Sequence, residues 1–221
     1  MKLGVLFSGG KDSAVAAWDL KCKGHSLEYF ITMIPKNPES YMFHYPNVEF
    51  CKYQAKEAGV PHIERHTHGE KEKELEDLKK AVEEARGIEG LVAGGLASNY
   101  QGNRIKAICE SLEIEFFAPF WKIDSEKYWR ILLDNKFKVM ITGVACEGLG
   151  KEWLGRVIDE QAFRELKKLS EKHRFHLGFE GGEAETFVLD CPLFKKPLEV
   201  ADGEVVWNRD SGYYLIKKIK S

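Results

Sequence analysis

No stretch of this sequence stays apolar for anything near the roughly 18 residues that a membrane-spanning helix needs. The N-terminus runs from Met1-Lys2 straight into a short strand-like segment, residues 3–7. It lacks the longer apolar region and small-residue cleavage site of a secretory signal, so a cytoplasmic protein is expected. Charge of one sign is also missing. The formal net charge is −2 and the pI about 6.4, and the only dense basic run is the short Lys217-Lys218-Ile219-Lys220 near the C-terminus. A protein that grips nucleic acid usually carries a basic stripe, so no direct nucleic-acid binding is expected. The five cysteines, Cys22, Cys51, Cys109, Cys146 and Cys191, are widely spaced and form no C-x-x-C pair. That excludes the common zinc and redox motifs and leaves small buried hydrophobes in a reducing compartment. There is no internal repeat.

What is present is 221 residues, 43% hydrophobic and 31% charged. That length suits one large domain or two small ones. The first half alternates short apolar runs with stripes at helical spacing. Strand-like runs fall at residues 3–7, 27–34, 61–66, 91–93 and 114–117. Between them Val15, Trp18 and Cys22 make one helical stripe, and Val48, Cys51, Ala55 and Ala58 a second. Leu75, Leu78, Val82 and Ala85 make a third, and Ile105, Ile108, Cys109 and Leu112 a fourth. Five strands separated by four helices predict an α/β fold with a parallel sheet and right-handed crossovers. Ligands of such sheets gather at the carboxyl ends of the strands, and every unusual loop in this half follows a strand. After Pro119 the alternation stops. Helical patterns at residues 128–133 and 158–169 mix with β-like runs at 139–143, 186–189, 204–207 and 213–219. The expected division is a nucleotide-binding domain, residues 1–121, and a smaller α+β substrate-binding domain, residues 122–221.

Ser8-Gly9-Gly10-Lys11-Asp12-Ser13 lies at the first strand-to-helix junction. Two glycines let the backbone approach an anion and turn its N–H groups inward. The helix that follows adds its positive end. Lys11 adds a full charge, and Ser8 and Ser13 add hydroxyls. Asp12 is suited either to capping the helix or to reaching a magnesium ion through water. The loop is not a Walker A sequence, which would need glycine at Val5 and Ser or Thr at Asp12, and it lacks the third glycine of a dinucleotide fingerprint. A capped glycine turn would explain Gly-Gly alone; all six residues at this junction point to phosphate.

Two further motifs stand out. Gly94-Gly95-Leu96-Ala97-Ser98-Asn99-Tyr100-Gln101-Gly102-Asn103-Arg104 follows the fourth strand. Ser98 or Asn99 suits a helix cap. Gln101 and Arg104 would then sit near the first turn, where Arg104 is suited to a phosphate or a carboxylate. An ordinary cap with a surface arginine fits equally well. Glu180-Gly181-Gly182-Glu183-Ala184-Glu185-Thr186 precedes a late strand. Alone it reads as a solvated acidic turn; functionally it suits magnesium or a cationic substrate, with Phe179, Phe187 and Trp153 as candidate cation–π partners if they share its cleft.

S-G-G-K-D-S resembles the pyrophosphate loop of the N-type ATP pyrophosphatases. With S-Y-M-F-H at 40–44, the G-G-L-A-S-N-Y-Q-G-N-R segment, A-P-F-W at 118–121 and E-G-G-E-A-E-T, the order over nearly the whole chain resembles the diphthine–ammonia ligase (diphthamide synthase) family in its short archaeal form. Eukaryotic members carry additional C-terminal domains. The resemblance implies a HUP-type, ATP pyrophosphatase nucleotide domain. It implies ATP-dependent amidation of diphthine, a trimethylammonium-bearing carboxylate on translation elongation factor 2. An acyl-adenylate would form, and ammonium would displace AMP. By the same resemblance Ser8, Gly9, Gly10, Lys11 and Ser13 hold the departing pyrophosphate, with Asp12 orienting the loop or Mg2+. The backbone at Thr32, Met33 and Ile34 receives adenine beside Gly95. Tyr100, Gln101 and Arg104 position ATP or the diphthine carboxylate. Glu180, Glu183, Glu185 and Thr186 face the trimethylammonium or the metal. His44 is either a proton carrier or a packed loop histidine. No glutaminase-like segment is visible, so free ammonium or a separate partner is the expected nitrogen source. Three rival readings remain: a tRNA-modifying ATP pyrophosphatase, an ATP-binding sensor without catalysis, and a small-molecule amide ligase with the same adenylation step.

Overall fold

The computed structural model describes residues 1–35, 47–67, 73–94 and 99–220, with Asn99, Tyr100 and Gln101 entering as helical backbone. The 40–44 segment with His44, and Gly95, lie outside the described residues. The chain divides into two compact units, Met1–Lys122 and Ile123–Ser221.

The first unit is built on five strands: β1 (Lys2–Leu6), β2 (Ser26–Pro35), β3 (His62–Thr67), β4 (Gly90–Ala93) and β5 (Glu115–Phe117). Every pairing is parallel and the spatial order is β3-β2-β1-β4-β5. β1 is central and buried on both faces, which is why Leu3, Val5 and Phe7 flank it without polar alternation. The chain winds from β1 out to β3, then crosses back to β4 on the other side. The carboxyl ends of β1 and β4 are therefore the point where the winding reverses.

Helices α1 (Lys11–Cys22), α2 (Cys51–Ala58), α3 (Lys73–Glu84) and α4 (Asn99–Ser111) connect these strands. One core cluster joins Ile31, Met33, Leu91 and Ala93 of the sheet to Leu78, Ala81 and Val82 of α3 and Ile105, Ile108 and Cys109 of α4. Helix α1 buries Lys11, Ser13, Ala14, Val15, Ala16, Ala17 and Leu20. Its three alanines let it lie close to the strands. Helix α2 ends at Gly59, whose φ of 66° is the left-handed stop that glycine adopts without strain.

The second unit pairs helices α5 (Ser125–Asp134) and α6 (Glu160–His173) with β6 (Lys138–Val144), β7 (Ala184–Asp190), β8 (Val200–Asn208) and β9 (Ser211–Ile219). The sheet is antiparallel, in the order β7-β6-β9-β8. Both helices start on an aspartate cap: Asp124 accepts from the Lys127 N–H at 3.0 Å, and Asp159 from the Ala162 N–H at 2.8 Å. Each such cap stabilises by about 1 kcal/mol. Trp129 is fully buried, its Nε1–H donates to the Leu177 carbonyl at 2.8 Å, and its ring meets the edge of Phe179. An indole buried with its N–H satisfied contributes full apolar burial without an orphaned donor. Among the described residues no helix is long and apolar enough to cross a membrane.

Candidate functional site

The loop Ser8–Ser13 sits where the winding reverses, between the end of β1 and the start of α1. Its geometry follows from its residues. Gly9 takes φ 77°, a conformation that side-chain-bearing residues avoid. Gly10 is the N-cap of α1, at φ −78° and ψ 170°, and no side chain caps the helix there. The first helical bond is Ala14 N–H to the Gly10 carbonyl at 3.2 Å. The N–H groups of the first turn thus precede the helix's own ladder, at its positive end. Ser13 closes the loop on itself. Its hydroxyl donates to the Gly10 carbonyl at 3.1 Å, and its oxygen accepts the Ser8 N–H at 3.3 Å, with Ser8 Oγ at 3.4 Å. Ser13 is therefore first a structural latch.

Lys11 is buried, and its Nζ lies 3.0 and 2.9 Å from the two carboxylate oxygens of Asp12, which is only partly covered. A buried ammonium needs a counter-charge. Asp12 supplies it, leaving a neutral pair at the mouth of the loop. Gly94, at the end of β4, is the other wall. A methyl group there would fall 2.2 Å from the Asp12 carbonyl carbon and 2.4 Å from the Ser13 nitrogen. Backbone meets backbone at that point, so the first glycine of the second motif is what lets α1 dock.

Beyond the loop, β2 overruns β1. The last β1–β2 rung is the Phe7 N–H to the Ile31 carbonyl at 2.8 Å. In a parallel strand, residues two apart present N–H and C=O to the same side. Met33 therefore turns its main-chain N–H and C=O to the β1 side of the strand, beyond that last rung. Thr32 and Ile34 point the other way, in register with Glu64 and His66 of β3. The buried Thr32 hydroxyl donates to the Phe7 carbonyl at 2.7 Å and lies 2.8 Å from His62 Nε2. A carbonyl only accepts, so the single Thr32 proton goes to Phe7 and His62 must donate from Nε2.

Burial holds His62 below its ordinary value of 6.5, with Glu64 pulling it up and Lys52 pushing it down. The folded state then binds fewer protons than the unfolded chain. Stability is full above 6.5 and falls as the pH drops below it. His62→Gln keeps an N–H donor and is expected to flatten that acid slope, read as the melting-temperature difference between about pH 7.5 and about pH 5.

Arg104 is half-buried on α4. Two residues before it, Gly102 is buried; a methyl there would press on the Trp121 ring at 3.1 Å, so the A-P-F-W segment packs on the first turns of α4. The G-N-R and A-P-F-W motifs are thus joined within the first unit.

The acidic motif lies wholly in the second unit. It hangs from Phe179, buried and at φ 65°. Glu183 uses both carboxylate oxygens on main chain, accepting from the His176 N–H at 2.9 Å and the Gly181 N–H at 2.8 Å. It shapes the loop. Glu180 is exposed at the turn. Glu185 and Thr186 lie on β7 opposite Gly143 and Ile141. Glu185 and exposed Tyr213 approach each other across Gly143, whose missing side chain makes the room. The three aromatics expected to support this loop do something else. Phe179, Phe187 and Trp153 are all buried, and Trp153 carries Arg156 at 4.3 Å over its ring. Tyr213 is the exposed aromatic beside the motif.

For a polyphosphate the residues fit: a glycine loop at a helix N-terminus and a lysine. For Mg2+ the donors are sparse. No cluster of three His, Cys, Asp or Glu side chains suited to a metal occurs among the described residues. Asp12 is one carboxylate, which suits the usual mode in which Mg2+ is held by one or two carboxylates and substrate phosphates.

Together the strand order and the loop define an α/β nucleotide-binding protein of the ATP pyrophosphatase type. Comparison with known proteins narrows it. Residues 1–115 match the family described as diphthamide synthase N-terminal domain, and residues 124–221 the diphthamide synthase C-terminal domain. The human diphthine–ammonia ligase is 30% identical over 93% of this chain and 85% of its own length. The zebrafish protein of that name is 30% identical over 96% and 91%. The Schizosaccharomyces pombe one is 28% identical over the whole of this chain, which spans 39% of that longer protein. The chain belongs to the diphthamide synthase family, and it is an enzyme of the ligase class. Among solved structures, one described as a predicted subunit of tRNA methyltransferase from Methanocaldococcus jannaschii aligns at TM-score 0.44 and 16% identity, covering 89% of this chain and 99% of that one. That likeness is too weak to bear on the chemistry.

Proposed function

We propose that this enzyme amidates diphthine on translation elongation factor 2, using ATP and ammonium and releasing AMP and pyrophosphate. The observation that carries the ATP half is the S-G-G-K-D-S loop at the reversal point of the parallel sheet, with Lys11 buried at its mouth. The acceptor half rests on family membership across both units.

The chemistry requires activation. A carboxylate offers ammonia only oxide as a leaving group, whereas an acyl-adenylate offers AMP. Adenine takes the Met33 edge. The polyphosphate lies over the N–H groups of Gly9, Gly10 and the first turn of α1. Lys11 turns from Asp12 to the oxygens of the departing pyrophosphate, where negative charge builds as the α–β bond breaks. Asp12, released from that pair, is placed to orient the lysine or to hold Mg2+, which would neutralise phosphate charge. Arg104 and Gln101 position the α-phosphate or the diphthine carboxylate. Glu180 and Glu185 receive the trimethylammonium, with the Tyr213 ring as its cation–π partner, while Glu183 and Thr186 hold the strand and loop that present them. Ammonium enters as free ion or from a partner.

The test is to incubate the protein with ATP, magnesium, ammonium and elongation factor bearing diphthine. AMP together with the small mass decrease of an acid-to-amide exchange on the factor is the expected result. AMP without it would move the acceptor to tRNA or a small acid. ATP bound with no AMP formed would favour a sensor, and ADP would overturn the phosphate-loop reading.

A further inference from the structure

The loop needs more than its own six residues to hold its shape. The Gly9–Gly10 peptide lies between two glycines, so it has few local barriers to flipping. A bond from outside the loop opposes that flip. Gln54, on α2 and fully buried, donates from Nε2 to the Gly9 carbonyl at 2.9 Å. A trans peptide is planar, and its C=O and N–H point in opposite directions. With the Gly9 carbonyl drawn inward to Gln54, the Gly10 N–H faces outward, ahead of the helix N-terminus and beside Lys11. Loss of the Gln54 bond would leave a buried carbonyl without that partner, which favours rotation of the peptide toward other donors.

We propose that Gln54 is a positioning residue for phosphate recognition: by holding the Gly9 carbonyl it aims the Gly10 N–H at the β- and γ-phosphates and so sets affinity for the pyrophosphate moiety. The Thr32 hydroxyl does the same for the start of the loop through the Phe7 carbonyl, but there the opposite N–H, that of Ser8, is taken by Ser13. Gln54 therefore controls the donor that can reach a ligand. This inference rests on reading the loop as a phosphate site, and it concerns ground-state binding that needs no protein acceptor.

The experiment uses the full chain and two probes, inorganic pyrophosphate and AMP, with Kd measured by calorimetry and a thermal melt alongside. Gln54→Met keeps the length and removes the donor. The Kd for pyrophosphate is expected to rise about tenfold, and that for AMP to stay within about twofold. Gly10→Pro removes the N–H itself, and the Gly10 φ of −78° lies within the range of proline. It is expected to weaken pyrophosphate at least as much. The double variant is expected to be no weaker than Gly10→Pro alone, because Gln54 acts only through that N–H. Unchanged pyrophosphate binding in either single variant overturns the proposal. So does equal loss of AMP and pyrophosphate in Gln54→Met, which would mark a general structural role, and so does full additivity in the double variant. Failure of the unaltered protein to bind either probe overturns the phosphate-loop reading and this inference together, and is recognised by appearing before any substitution is made.

Discussion

Lys11→Ala is expected to slow AMP formation by about 10²- to 10³-fold, the size of effect seen when one preorganised charge or donor is removed from a developing anion. The reason lies in where the lysine is kept. Its ammonium is buried against Asp12 and the first turn of α1, in a setting where a charge acts more strongly than in water. It is also already desolvated, so little rearrangement stands between its resting pairing and its contact with phosphate. The fold should survive the change, because Asp12 is partly exposed and water can take the lysine's place beside it. Single-turnover AMP release, set beside ATP affinity, separates the two roles. A fall in rate with ATP affinity largely retained places the lysine on the leaving group. A rate within about threefold of the unaltered enzyme would show that Lys11 serves only to neutralise Asp12. Asp12→Asn provides the counterpart: it removes the counter-charge of the buried ammonium, so a lowered melting temperature is expected alongside any loss of rate.

Much of this site was legible because its residues are contiguous. Six residues at one strand–helix junction carry the expectation of a phosphate site, and short apolar runs alternating with stripes at helical spacing announce the strands and helices of the first unit. Gln54, Thr32 and His62 carried no such local sign. They lie 45, 25 and 30 residues from the groups they bond (the Gly9 carbonyl, the Phe7 carbonyl and the Thr32 hydroxyl), so only the parallel sheet brings them there. One signal was present for Gln54. It falls on the stripe of Cys51, Ala55 and Ala58, of which Cys51 and Ala55 are buried, and a polar side chain on an apolar face must find a partner. The order β7-β6-β9-β8 was equally hidden, because β6 and β7 are separated in sequence by α6 and their pairing is not written in either strand alone. The acidic motif misled in part. Its spacing showed three carboxylates but not that Glu183 would turn back on main-chain N–H groups. The aromatics nearest in sequence proved to be core, while Tyr213, 28 residues beyond Glu185, is the one that reaches it.

Gly94→Ala is expected to disable the site with a single methyl group. Gly94 does not use a left-handed backbone, so alanine is permitted there by its own torsions. The obstacle is space. The new carbon would lie 2.2 Å from the carbonyl carbon of Asp12 and 2.4 Å from both the Asp12 oxygen and the Ser13 nitrogen. Non-bonded carbons settle near 3.5–4.0 Å, so β4 and α1 must part by about 1 Å or more. No flexible side chain can absorb that movement, because every clashing atom is main chain. Overpacking of this kind costs about 1–3 kcal/mol where side chains can yield, and here the upper end is expected, visible as a lowered melting temperature. The catalytic effect should be larger than the stability effect. The displaced atoms are those of Asp12 and Ser13, and a shift of about 1 Å in a positioning group can cost on the order of 10²-fold in rate. Measuring melting temperature and AMP formation on the same preparation separates the two. A folded variant with greatly reduced AMP formation shows that β4 sets the position of the phosphate loop. A variant that melts and turns over as the unaltered protein does would mean that α1 docks on β4 with more room than this contact allows.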